Sequence, residues 1–414
     1  MRFDTIELKD KFRVWALFAL AFFPLVDYLL RQLPLIGFVG SIWDKALFLG
    51  LLVLALGRFF AGVQIEQLSF HKWLKAFIAL GVAYLVMHIS TFAVDFEGFR
   101  AIYWYSFYAF ILPFVVDEKL APRLVHASVL AGFVIAIHGV YQYILPVPIP
   151  PNWTDAAEHV RTRVFSVFGS PNIMGAYMNL IFATAAGMSW GAFRNKHGKL
   201  GWFFLLIALT ALASLLFTNT RGAWLALFGA LVVTSVLFDR RMLIAIVVVG
   251  VVAMFVPQIQ SRFEQLFSTL YWTKALKDGR LYRWMTTYDV IRHNPLFGFG
   301  MGHFGGAVAA RNYGTMYVDN YYAKTMAELG LIGLSMMLTL FVTIMKNLYT
   351  RFFKSIRTRQ DGPLLLGMYT GLLAVLIQNA VENVFEVPAM NFLFWFFVSL
   401  IVIMTRPRKE EKAA

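Results

Sequence analysis

Long apolar runs separated by short polar breaks set the pattern of this chain. A membrane-crossing helix needs about 20 mostly apolar residues. Twelve stretches approach that length, with cores at 14–31, 35–56, 73–92, 101–116, 122–145, 172–193, 201–217, 221–238, 241–256, 320–346, 364–383 and 388–405. The second and fourth are diluted, by Asp44 and Lys45 and by "IYWYSFY". The run from Val14 leads into "FFPLVDYLLRQ" and not into a small-residue cleavage site, so it reads as a retained first helix. The predicted class is all-α, a polytopic membrane bundle of about 12 transmembrane helices with one large helical extracytoplasmic loop. It divides into 1–256 (helices one to nine), 257–319 (the loop) and 320–414 (helices ten to twelve and a basic cytoplasmic tail).

Two helical patterns occupy the loop. The first is "QSRFEQLFSTLYWTKAL". The second is "RLYRWMTTYDVIRH", where Leu281, Trp284, Met285, Tyr288 and Ile291 fall on one face at helical spacing. Arg280, Arg283 and Arg292 flank these aromatics, which suits a helix lying in the membrane interface. "HNPLFGFGMGHFGG" then ends the pattern with Pro295 and a glycine-rich turn. A second outside segment, 146–171, opens on the Pro-rich "PVPIPPNWTD".

Composition agrees with this pattern. Of 414 residues, 59% are hydrophobic and 14% charged, whereas soluble domains are nearer half apolar and a quarter charged. The net charge of +14 follows from basic cytoplasmic loops and does not call for nucleic acid. With the N-terminus inside, the inside segments hold 23 of the 37 Lys and Arg residues. Seven more lie in 257–319, where loop length overrides charge. The absence of cysteine removes disulfides and thiolate chemistry.

The eight histidines are scattered, with no metal-ligand spacing among them. No phosphate-loop motif occurs, and "GFGMGHFGG" lacks the flanking strand and helix of one. Arginines and acids on the outside remain. Arg221 sits in the short turn "TNTRGAW", Arg280 and Arg283 open the loop helix, and Arg161 and Arg163 precede "SVFGSPN". A snorkelling or headgroup role suits each singly. Together they suit a polyanion at the outer leaflet, because guanidinium binds phosphate oxygens in a bidentate fork. The outside acids are Asp155, Glu158, Asp278, Asp289, Asp319, Glu382 and Glu386. Glu382 and Glu386 are four apart, so in a helix they share one face. These acids either pair with the arginines or act as general base on a sugar hydroxyl.

The motifs "HGVYQY", "TRVFSVFGSPNIMGAYMNL", "TNTRGAWLAL", "GRLYRW…IRHNPLFGFGMGHFG" and "DNYYAKTMAELGLIGL" resemble, in order, those of the bacterial O-antigen ligase and O-antigen polymerase superfamily. The resemblance covers about His138 to Glu386. It implies a membrane glycosyltransferase using an undecaprenyl-diphosphate-linked glycan donor and a glycan or lipid acceptor, without metal or other cofactor. It implies that Arg221 and Arg280 hold the donor diphosphate and that Asp319 orients or deprotonates the acceptor hydroxyl. It extends substrate binding to Arg283, Arg163, Asn172, Trp284, Asn320, Tyr322 and Glu382. It also suggests membrane lipids, a flippase and a chain-length regulator as partners, and the bacterial cytoplasmic membrane as location, with both termini cytoplasmic. Relatives that ligate glycan to the lipid A core carry histidine where this chain has Asp319, which favours a polymerase and keeps the ligase as the alternative. A transporter of lipid-linked sugars is the rival from another class, but no repeated halves are seen.

Overall fold

A computed structural model describes residues 2–33, 37–148, 162–353 and 356–407. Arg161, Asp155, Glu158 and the end of the tail lie outside the described residues. Those described are all-helical, with no strand among them. The helices are α1 (Arg2–Ala21), α2 (Phe23–Gln32), α3 (Val39–Phe60), α4 (Ser69–Met87), α5 (Phe92–Tyr103), α6 (Tyr108–Val115), α7 (Leu120–Ile144), α8 (Pro171–Arg194), α9 (Gly198–Phe217), α10 (Arg221–Phe238), α11 (Arg240–Ala253), α12 (Pro257–Glu264), α13 (Thr269–Lys277), α14 (Arg280–Ile291), α15 (Ala307–Tyr313), α16 (Tyr321–Phe352), α17 (Gly362–Gln378) and α18 (Pro388–Met404).

Each of the twelve apolar stretches contains helix among its described residues, but they differ in reach. Among the described residues six helices (α3, α4, α7, α9, α10 and α16) are long and apolar enough to cross a membrane. A seventh crossing results if α1 and α2 act as one, although they meet at a bend of 85°. The apolar helices α17 and α18 are shorter. The fourth stretch is interrupted by a 3-10 segment at Trp104–Phe107, where the aromatic run "WYSF" departs from the α-helix. The ninth, α11, has 14 residues and no buried side chain among them.

The core forms around α8, which packs most closely on α17 and α9. Ala183, Gly187 and Gly367 line the α8–α17 seam, where small side chains let helix backbones approach. Almost all of α18 is buried.

The tenth apolar stretch is not one continuous helix. Gly330 has φ 66° and ψ −170°, so α16 breaks there. The loop segment 295–300 enters the gap. Leu331 N donates to Pro295 O at 2.8 Å, Phe299 N to Ala327 O at 2.9 Å and Gly300 N to Glu328 O at 2.9 Å. These bonds satisfy backbone groups that the break releases. A side chain on Gly330 would place its Cβ 2.1 Å from Leu296 O. Gly330→Ala is therefore expected to cost roughly 2–4 kcal/mol through backbone strain and the clash. A lowered thermal midpoint in detergent checks this, and an unchanged midpoint contradicts it.

The charged pair below this break holds the loop to the bundle. Lys324, wholly enclosed, contacts Glu328 at 2.6 Å and Glu386 at 3.1 Å. Glu328 accepts from Gly302 N at 2.9 Å, and Glu386 from Ala307 N at 3.0 Å. Both carboxylates thus gain a cation and a backbone donor, which buried charges require.

Candidate anion-binding and transfer site

Four helix N-termini meet at one end of the bundle. In "GSPN" the Ser170 hydroxyl caps α8, Pro171 takes its first position and Asn172 falls in its first turn. Thr220 precedes α10 and Arg221 opens it. Gly279 precedes α14, which begins at Arg280. Asp319 stands at φ 51° just before Asn320, whose side-chain oxygen accepts from Tyr322 N and Ala323 N to cap α16. A left-handed Asp followed by a capping Asn explains the Asp-Asn order in local terms. Helix N-termini present unpaired N–H groups and positive dipole ends, so their meeting favours an anion.

The predicted residues are connected through one network. Arg163 Nη2 donates to Asn172 Oδ1 at 3.1 Å and to Thr220 Oγ1 at 3.2 Å, and its Nε donates to Thr218 O at 3.2 Å. The Asn172 amide donates to Glu382 Oε2. Arg280 Nη2 lies 3.7 Å from the same oxygen, and Arg280 Nε is buried with no hydrogen-bond partner. Arg283 Nη1 meets Asp319 Oδ2 at 2.5 Å. Trp284 Nε1 donates to Val318 O at 3.2 Å, which fixes α14 against the start of α16. Arg221 lies to one side. Its Nη1 donates to Arg262 O at 3.1 Å, and its guanidinium stands 5.1 Å from the Tyr271 ring centre. Arg262 in turn donates to Asn219 O at 3.2 Å, so α12 is fastened to the α9–α10 turn.

Asp319, Arg280, Arg283, Arg163, Asn172, Trp284 and Glu382 thus converge. Asn320 caps a helix, and Tyr322 donates its hydroxyl to Leu376 O at 2.7 Å. Both hold the frame of the site. Glu382 and Glu386 do not share a helical face. The helix α17 ends at Gln378, and a turn and a 3-10 segment carry the two acids apart. Asn379 causes the exit, because its side chain donates to Val375 O and accepts from Phe385 N. Glu382 turns to Arg280, whereas Glu386 turns to Lys324.

The interface helix α14 divides its faces otherwise than expected. Thr287 and Ile291 are buried, while Met285 and Tyr288 are 61% and 69% exposed. Its Arg283–Trp284–Thr287 side lies on the site, and much of the apolar stripe points outward. Trp272 and Tyr282 are also exposed.

Burial pushes the Glu382 carboxyl up to about 7, with the negative charge of Asp319 adding to the effect and Arg280 opposing it. A carboxyl in that range exchanges a proton near neutral pH, the property of a general base or acid. Asp319 is instead engaged by its tight arginine partner. Among the described residues no His, Asp and Glu side chains group as metal ligands.

Residues 203–338 carry an O-antigen ligase domain. That match, over part of the chain, supports the O-antigen ligase and polymerase superfamily, and the long apolar helices are those of a membrane protein. The matched region contains Arg221, Arg280, Arg283, Trp284, Asp319, Asn320 and Tyr322. Arg163, Asn172 and Glu382 lie outside the O-antigen ligase domain in sequence and join it in space. No curated protein matches the chain.

Several participants escaped the sequence reading. Gln378 at the end of α17 donates its side-chain amide to Asn172 O at 2.8 Å, and a neutral residue closing an apolar helix carries no sequence signal. Lys324 and Glu328 left a readable signal, since opposite charges four apart in an apolar helix pair on one face.

Proposed function

We propose that this protein transfers a glycan from a polyprenyl-diphosphate carrier to a sugar hydroxyl, at the outer face of the cytoplasmic membrane. One observation carries the reading: Arg280, Arg283 and Asp319 of the O-antigen ligase domain converge, with Glu382, where four helix N-termini meet. Arg280 is placed to bind the donor diphosphate, with its Nε buried and unpaired. Arg283 and Arg163 add positive charge beside it, and Arg221 adds more from one side. These groups stabilise the negative charge that grows as the diphosphate leaves.

Glu382 takes the proton of the acceptor hydroxyl. The freed oxygen forms a bond to the anomeric carbon, the carbon–oxygen bond to the diphosphate breaks, and its electron pair leaves with the diphosphate. Asp319 holds Arg283 in place and raises the proton affinity of Glu382. In this reading the apolar helices make twelve crossings with both termini inside, and α12–α15 lie outside.

The acceptor we favour is a second lipid-linked repeat unit, because Asp319 stands where ligating relatives have histidine. Purified protein mixed with defined undecaprenyl-diphosphate-linked repeat units tests the proposal. Products lengthened by whole repeats support polymerisation. Transfer only when a lipid A core acceptor is added replaces it with ligation. Movement of the intact lipid-linked unit across vesicles, with no new glycosidic bond, replaces transfer with transport.

A further inference from the structure

A second polar cluster lies where the end of α4, the start of α5 and the glycine-rich turn 298–306 meet. Asp95 on α5 is 0% exposed. Its Oδ1 lies 3.2 Å from His88 Nδ1, and its Oδ2 lies 2.9 Å from His303 Nε2. Thr91 Oγ1 also donates to Oδ2, at 2.7 Å. A buried carboxylate at the end of a membrane helix is costly, and is retained for a partner or a task. Here it orients two imidazoles, each by one nitrogen. The side chains of His88 and His303 remain 32% and 17% exposed. Their outward nitrogens, His88 Nε2 and His303 Nδ1, have no hydrogen-bond partner among the described residues.

The backbone is built around this cluster. Gly300 has φ 103°, and a Cβ there would stand 2.9 Å from both Asp95 Oδ1 and His88 Nδ1. Tyr313 on α15 is 48% exposed and stacks on the His303 ring at 5.2 Å. An ion pair of Arg311 with Glu97, at 2.5 Å, ties α15 to α5 at the rim.

The same turn is fastened to the transfer site. Gly305 O accepts from Val318 N at 3.1 Å and from Asn383 Nδ2 at 2.9 Å. Val318 precedes Asp319, and Asn383 follows Glu382. The turn carrying His303 is therefore bonded to the immediate neighbours of both acids.

We propose that His88, His303 and Tyr313, held by Asp95, form the subsite that binds the acceptor sugar. Imidazole nitrogens that donate or accept match hydroxyl groups, and an exposed ring beside them offers a stacking face. Among the described residues no Lys or Arg contacts Asp95. The cluster offers a phosphate no guanidinium or ammonium, so the ligand is the neutral glycan end and not the carrier diphosphate.

This inference rests on the transfer reading, and its test separates the two. His303→Gln and Tyr313→Ala are assayed against acceptor concentration, with undecaprenyl diphosphate binding and thermal midpoint measured on the same samples. Each variant is expected to raise the acceptor KM about tenfold, the loss of one or two hydrogen bonds or a stacking contact. The carrier Kd stays unchanged and kcat stays within about threefold. A carrier Kd that rises in parallel, or an unchanged KM, overturns the subsite. If His303→Gln does not fold, Tyr313→Ala at the exposed rim decides alone. If the wild-type protein forms no new glycosidic bond from the lipid-linked donor, the transfer reading itself fails.

Discussion

Arg280→Ala is expected to abolish glycan transfer while leaving protein level and membrane insertion intact. Arg280 Nε is already buried without a partner, and its link to Glu382 is a 3.7 Å ionic contact, not a close hydrogen bond. The guanidinium therefore contributes little to holding the fold. In the proposed transfer its donors stabilise the negative charge that grows as the diphosphate departs. Removing one such group costs about 10²–10³ in rate at preorganised sites. Lysine keeps charge but loses the planar fork, so Arg280→Lys should recover only part of the activity. Turnover of a lipid-linked donor by the purified variant is the measurement. Product at the wild-type rate would remove Arg280 from diphosphate recognition.

Glu382→Gln is expected to reduce turnover by about 10²–10⁴, the usual range for loss of a general base. The amide preserves shape and still accepts from Asn172, so binding of undecaprenyl diphosphate should persist. The pH profile gives a second reading. The base must be ionised, and its proton affinity lies at about 7. Wild-type turnover should therefore rise with pH through that value, from mostly protonated below it to mostly ionised above it. In Glu382→Gln this limb should vanish, leaving a low, flatter profile. Asp319→Asn should have a smaller effect on turnover, because it weakens the hold on Arg283 without removing the base. It should also move the limb to lower pH, since one negative charge beside Glu382 is gone. A limb that survives in Glu382→Gln assigns the proton to another group.

How much of this was legible beforehand depended on the range of the signal. The apolar runs marked each helix, because helix length and hydropathy are local. The loop helix was visible from the spacing of Trp284 and Ile291, and the capping Ser170-Pro171 and Asn320 are local signals as well. The break in α16 was not visible. In "LGLIGL" a lone glycine inside an apolar run is ordinarily tolerated, and it is the segment 295–300, some thirty residues earlier, that enters and stabilises the gap. Glu382 and Glu386 were misread for a related reason. Their spacing suits a helix, but Asn379 binds its own backbone and ends α17 first. The joining of Arg163 and Asn172 to Glu382 comes from α8 packing on α17, a contact between segments some 200 positions apart. The ring of Asp95 and two histidines is hidden in the same way.

The pair of hydrogen bonds that Gly305 O accepts has a practical side for protein engineering. It divides 257–319 into two unequal halves. From Arg280 onward the chain is stitched to α16, to α5 and to the residues after α17. Before Gly279 it is attached mainly through Arg262 and its neighbours, and Phe267, Leu270 and Trp272 stand outside. Chimaeras with a relative should therefore be joined at Asp278–Gly279, a natural seam, and not at the two ends of the loop. A graft of 280–313 must bring its own residues 88–97 with it, because these two stretches are held together through His303, Asp95, Arg311 and Glu97.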